Sequence, residues 1–423
     1  MLAIGTGFLV FSLAQPRADI IQKNAETDAA LAQVKLALIG WSATRTPTST
    51  APTSRPGELP CPDMNNNGMD DDGGCAAGAI GRVPWQTLGI PEPKDGSGET
   101  IWYAIAGPFR YKAQANAPIT SDTMGNLTVY LGSSAMSLTT QAVAVLFAPG
   151  PPVGSQARGA TTTTCATTGT TIAQVNCAAN YLEATGGGNN AQTGGPFIQA
   201  VKSASFNDRV LAITNADLMP AVEPRVAYEM MSYLNRYRAA IPSHVYPWAD
   251  LSDGDSNGDP GTAAYNRGRF PCGNALPVNW GSSGTPTLPD WLTNGCPAST
   301  GWAGVIYYAV ATNLLENGGT GCTTPGCAAH GGLNITNSGR VFLCTYGASP
   351  FTCPLSNVSP GLQNVLLLIT PGGWEGGAHS WSNTTWSPIT GYFEDATNGN
   401  NSNDNYAIPS STSTNRDRMF IMQ

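Results

Sequence analysis

The stretch whose reading decides the fold is "IWYAIA" at residues 101–106, because it comes back as "IYYAVA" at 306–311. Both runs are β-branched, aromatic and small apolar residues, which is the make-up of a buried strand. Working outward, the neighbours repeat too. "ELPCPDMNNNGMDDDGGC…GRVPW" around 58–85 returns as "VYPWADLSDGDSNGDP…GRFPC" around 245–272. "AVLFAPG" (144–150) returns as "LLLITPG" (366–372), and "NYLEATGGGNN" (180–190) as "GYFEDATNGNN" (391–401). "SFNDRVLAI" (205–213) returns as "TNRDRMFIM" (414–422). The order is kept while the spacing drifts, as expected when loops differ in length between two copies of one unit.

Each copy follows a helical pattern. Leu31, Val34, Leu38 and Trp41 recur at steps of 3 and 4 among Ala-rich positions, a helix-forming arrangement. Val222, Val226, Met230, Tyr233 and Tyr237 do the same, with Asn215 or Asp217 as N-cap and Pro220 and Pro224 near the start, where proline is tolerated. "NLTVYL" (126–131) and "RVFLCTY" (340–346) add further strands. The expected fold class is α+β: a long N-terminal helix, then an antiparallel β-rich domain, duplicated in tandem as a second helix plus a second β-rich domain. The expected organisation is a helix over 1–44 (apolar 1–15, amphipathic 17–44) and a Thr/Ser/Pro linker over 45–57. The first β-rich domain follows over 58–214, and the second helix with its β-rich domain over 215–423.

Composition narrows the partners. Only 11% of residues are charged and the net charge is −8, while 49 glycines and 32 prolines mark a loop-rich chain. Twenty Lys+Arg form no basic stripe, so nucleic acid is not an expected partner. Ten cysteines fall in near neighbours: Cys61/Cys75, Cys165/Cys177, Cys272/Cys296, Cys322/Cys327 and Cys344/Cys353. Short loops closed this way read as disulfides in an exported protein. Other connectivities stay open.

The chain starts "MLAIGTGFLVFSLAQPR" (1–17), with no acid in its first fifteen residues. Residues 1–15 offer on the order of 1,000 Å² of apolar surface, worth up to about 25 kcal/mol by area before association entropy. Such a segment needs a dry environment: a membrane, or copies of itself. A helix that begins apolar, passes a proline, turns amphipathic and feeds a β-rich domain resembles the type IV pilin and pseudopilin (prepilin-processed) family. "LPCPDMNNNG" and "IWYAIA" are similar to segments of large prepilin-type proteins. The resemblance implies pilin-like β domains and Met1 as the processed residue. It also implies residence in the inner membrane before assembly, then a helical homopolymer with the apolar half-helices bundled. The assembly residues would be Met1, Leu2, Ile4, Phe8, Leu9, Val10, Phe11 and Leu13. Gly5 stands where pilins usually carry a glutamate, a departure that implies either a different helical packing or a filament outside the standard type IV class. A remnant signal sequence is the alternative.

Two loops carry metal-like patterns. Asp63, Asn65, Asn67 and Asp71 surround Gly68, and Asp253, Asp255, Asn257 and Asp259 surround Gly258. Alternating oxygen side chains of this kind suit Ca²⁺. No glutamate follows at the twelfth position, so neither is an EF-hand, and an Asx-rich turn without metal is the alternative. "CTTPGCAAH" (322–330) has the wrong spacing for haem attachment, and a small disulfide loop is favoured there over zinc. The repeated "NDR" and "RDR" (Asn207–Arg209, Arg416–Arg418) read as a strand-end salt bridge in each copy. Trp85, Trp248, Trp280, Trp291, Trp374, Trp381 and Trp386 suit core anchoring first and a carbohydrate face second. No nucleophile motif is present, so an enzyme is not expected. The sequence points to a structural subunit of an extracellular, cell-surface bacterial filament. Its rival is a minor pilin or surface-anchored adhesin that binds a glycan or surface.

Overall fold

The computed structural model describes residues 2–45, 54–70, 74–110, 118–249, 266–272, 277–293, 301–316, 333–363, 365–370, 405–408 and 418–423, with side chains from residue 19 onward. The chain divides into two compact units. Unit 1 is Met1–Ser42, Glu58–Gln114 and Thr123–Leu218; unit 2 is Ala43–Gly57, Ala115–Asp122 and Met219–Gln423.

Unit 1 opens with helix α1 (Leu2–Ala43), about 60 Å long at 1.5 Å per residue. Ala30, Leu31, Val34 and Leu38 bury one stripe of it, with Trp41 partly covered, whereas Asp19–Glu26 are exposed. The strands are β1 (Ile80–Arg82), β2 (Trp102–Ile105), β3 (Leu127–Leu131), β4 (Ser133–Ala148), β5 (Phe197–Gln199) and β6 (Arg209–Thr214). They form one sheet in the order β1-β2-β4-β3-β5, with β6 on the other edge of β4. Every pair is antiparallel except β3 with β5, which run parallel.

Unit 2 carries α2, which spans Asn215–Ala240 and has its first four residues in unit 1. Its further elements are β7 (Arg267–Arg269), the short α3 (Asp290–Thr293), β8 (Tyr307–Val310), β9 (Gly339–Cys344), β10 (Leu355–Val358), β11 (Leu366–Thr370) and β12 (Arg418–Met422). The sheet order is β7-β8-β11-β12-β9-β10, and β12 runs parallel to β9.

Four strands of each sheet repeat residue by residue. Gly81 faces Tyr103 and Gly268 faces Tyr308. Tyr103 faces Leu146 as Tyr308 faces Leu368. Leu146 then faces Leu211 as Leu368 faces Phe420. The details agree: the Tyr103 hydroxyl donates to the Pro60 carbonyl (3.1 Å) and the Tyr308 hydroxyl to that of Pro247 (2.7 Å). Burial pushes both phenols well above their usual pKa. The strands β2, β8 and β11 are buried along their whole length, which explains their unbroken apolar runs.

The expected fold class is corrected. A long helix followed by antiparallel, pilin-like α+β domains is not what the chain forms. Among the described residues there are three α-helices, and the remaining regular structure is mostly strand, chiefly in two separate mixed sheets of six strands. The parallel pairs arise because β5 and β12 reach their neighbours by long crossover connections, which a parallel pairing requires. The strand patterns were visible in the sequence, but pattern says nothing about which strand becomes the neighbour. The Thr/Ser/Pro linker also ends inside a core. Ser54 and Arg55 are only 1% and 4% exposed. Gly57, at φ +98°, lies so close to Ile119 that a Cβ would sit 2.7 Å from the isoleucine Cβ.

Candidate functional site

The Asp63 loop is built by one carboxylate. Oδ1 of Asp63 accepts the backbone N–H groups of Asn65 (3.2 Å), Asn66 (2.6 Å) and Asn67 (3.2 Å), and Oδ2 accepts that of Gly68 (2.7 Å). Asn67 Oδ1 accepts the Met69 N–H at 2.8 Å. Asp63 is 1% exposed and its backbone bridges Arg82. This is the geometry of an Asx-rich turn, with the acid folded onto its own loop. Among the described residues no group of three or more His, Cys, Asp or Glu is placed to hold a metal ion. Asp71 and the second loop (Asp253, Asp255, Asn257, Asp259) lie outside the described residues.

Three of the near-neighbour disulfides are present: Cys61–Cys75, Cys165–Cys177 and Cys344–Cys353. Cys272 is also disulfide-bonded, while Cys296, Cys322 and Cys327 fall outside the described residues. Of the assembly residues, Leu2, Ile4, Phe8, Leu9, Val10, Phe11 and Leu13 are all in α1, and Met1 lies outside the description. No helix among the described residues is long and apolar enough to cross a membrane. Trp248 and Trp291 are buried; Trp374, Trp381 and Trp386 are not described.

The strand-end salt bridge expected at the NDR motif is present in unit 1 and long, at 4.0 Å, in unit 2. Arg209 does not pair with its neighbour Asp208. It reaches Asp28 of α1 at 2.7 Å, within unit 1. In unit 2, Arg418 lies 4.0 Å from Glu223 of α2 and donates to the Pro220 carbonyl at 3.0 Å. In both units the arginine that opens the last strand touches a long helix. Arg209 is exposed, while Asp208, just before the strand, is buried.

Asp208 meets Glu183 there, and the two exchange backbone hydrogen bonds. The Glu183 N–H donates to Asp208 Oδ2 (2.8 Å), and the Asp208 N–H donates to Glu183 Oε2 (3.2 Å). Asn190 Nδ2 donates to the same Asp208 oxygen at 2.9 Å. Asp208 Oδ1 is buried with no hydrogen-bond partner. Burial, and then the charge of Glu183, raise the Asp208 pKa well above the usual carboxylate value. The network continues outward: Gln156 donates to Glu183 Oε1 (2.7 Å) and Arg158 donates to Gln156 (2.8 Å). Arg158 also pairs with Glu99 at 2.8 Å and stacks 4.5 Å from the Tyr181 ring. Arg82 lies over Trp102 (4.8 Å) and Tyr181 (5.0 Å); burial lowers its pKa, against Tyr181, Asp63 and Glu99.

Sequence reasoning missed this buried lock. The signal was available, since Glu183 and Asn190 sit in one repeated motif and Asp208 in another, with Glu394, Asn401 and Asp417 as counterparts. Its oxygens face backbone and amide donors. Such an arrangement pins β6 and the 183–190 turn. No family model, curated protein or solved structure matches the chain.

Proposed function

We propose that the chain is a structural subunit of an extracellular, pilus-like bacterial filament that polymerises through the N-terminal part of α1. One observation carries the reading. α1 is continuous from Leu2 to Ala43, and over its described side chains, from Asp19 on, Asp19–Glu26 are exposed and the buried stripe starts at Ala30. The helix therefore leads from a packed half into a run, residues 2–15, that carries no charge. Apolar area of that size favours burial against like segments. The resemblance to prepilin-processed proteins rests, in this reading, on the leading helix alone. Disulfides near the loops and a surface poor in charge suit close lateral contact and exposure outside the cell.

Negative-stain electron microscopy of the purified full chain tests it. Filaments are the expected outcome, and Phe8→Asp with Val10→Asp is expected to leave folded single molecules. Monodisperse wild-type protein in detergent-free buffer, with the apolar run intact, overturns the proposal.

A further inference from the structure

Unit 2 holds an open groove of about 430 Å³ between α2 and the start of α3, within the size range of small-ligand sites. Arg225, Tyr228, Glu229, Tyr233 and Arg236 line it from α2, and Trp291 closes the far side. Their spacing places them on one face of the helix. Tyr228 is held still: its hydroxyl donates to the Phe351 carbonyl at 2.7 Å, and its ring lies 5.7 Å from that of Phe351. Arg225 forms an ion pair with Glu229 and lies 5.6 Å from the Tyr228 ring. Arg236 differs. Its guanidinium sits over the Tyr233 ring at 4.5 Å, and no carboxylate pairs with it among the described residues. Glu229 is partly buried, and burial raises its pKa against the pull of Arg225 and Arg236.

We infer that this groove binds an acidic sugar, a hexuronate unit of an anionic polysaccharide. The Arg236 fork matches a carboxylate through two parallel N–H···O bonds. The ring of Tyr233 beneath holds the guanidinium in place, and Tyr228 offers apolar ring surface to a pyranose face. Glu229, with Arg225 beside it, accepts sugar hydroxyls and disfavours a dense dianion such as phosphate. An open groove lets a polymer run through, which a closed cavity does not. The inference does not depend on the filament reading.

Calorimetric titration of the full chain with trigalacturonate tests it. Saturable binding that weakens as salt rises is expected. Arg236→Ala is expected to lower affinity tenfold or more, and Arg236→Lys to fall between the two. Lys202→Ala, an exposed change in unit 1, is expected to leave binding unchanged, and maltotriose to give no heat. Absence of trigalacturonate binding, equal affinity of wild type and Arg236→Ala, or equal affinity for maltotriose overturns the inference. So does inorganic phosphate binding as tightly as trigalacturonate.

Discussion

Asp208 shows how far a single side chain can shape the response of this molecule to pH. In the native chain its carboxyl is raised well above its ordinary value by burial and by Glu183. The native state therefore holds a proton that the unfolded chain releases in the usual carboxylate range. Stability from this site is complete below that range and is lost as pH rises toward the raised native value. Denaturant unfolding measured from acid to mildly alkaline pH is expected to show this decline. Asp208→Asn keeps an acceptor for the Glu183 N–H and puts an N–H₂ where the acid proton sits, so it is expected to flatten the slope. Asp208→Ala leaves the Glu183 N–H and one of the two Asn190 amide N–H groups without an acceptor and is expected to cost about 2 kcal/mol. An unchanged slope in Asp208→Asn would rule out the acid as its source. Arg209 is a contrast: its pair with Asp28 is half exposed, and Arg209→Ala is expected to change stability by less than about 1 kcal/mol.

Among the elements, α1 is seated by a loop that has no side chain to spare. A Cβ on Gly96 would lie 2.2 Å from the Lys23 carbonyl oxygen, and the Gly96 N–H donates to Thr27 Oγ1 at 3.0 Å. Gly96→Val is expected to lift this part of the helix, read as faster amide hydrogen exchange over residues 23–30 with the sheet amides unchanged. Farther along, Lys35 reaches Asp217 at 2.6 Å, inside the same unit. The Cys61–Cys75 bridge closes a 14-residue separation beside β1. Replacing both cysteines by serine is expected to cost about 3 kcal/mol, measured as a drop in unfolding free energy.

For the whole molecule, the units are not two consecutive halves of the chain. Unit 2 takes in Ala43–Gly57 and Ala115–Asp122. Ile119 is buried there, and the Ser121 hydroxyl meets the Glu223 carboxylate. A fragment of residues 219–423 lacks these pieces and is expected to melt well below unit 2 in the intact chain, by circular dichroism. A fragment as stable as the intact chain would mean that the two inserted segments contribute nothing to unit 2.

Local features were legible in the sequence by itself. Leu31, Val34 and Leu38 declared a helix face because side-chain direction follows the 3.6-residue period. "IWYAIA" and "IYYAVA" declared buried strands, and Cys165 and Cys177 are close enough along the chain to find each other. Tertiary structure alone decided the mixed sheets, the pairing of Glu183 with Asp208 and the reach of Arg209 to Asp28. Those contacts join residues far apart in sequence. Which segments meet depends on the paths of loops that carry no period, and on the total burial that the assembled units achieve.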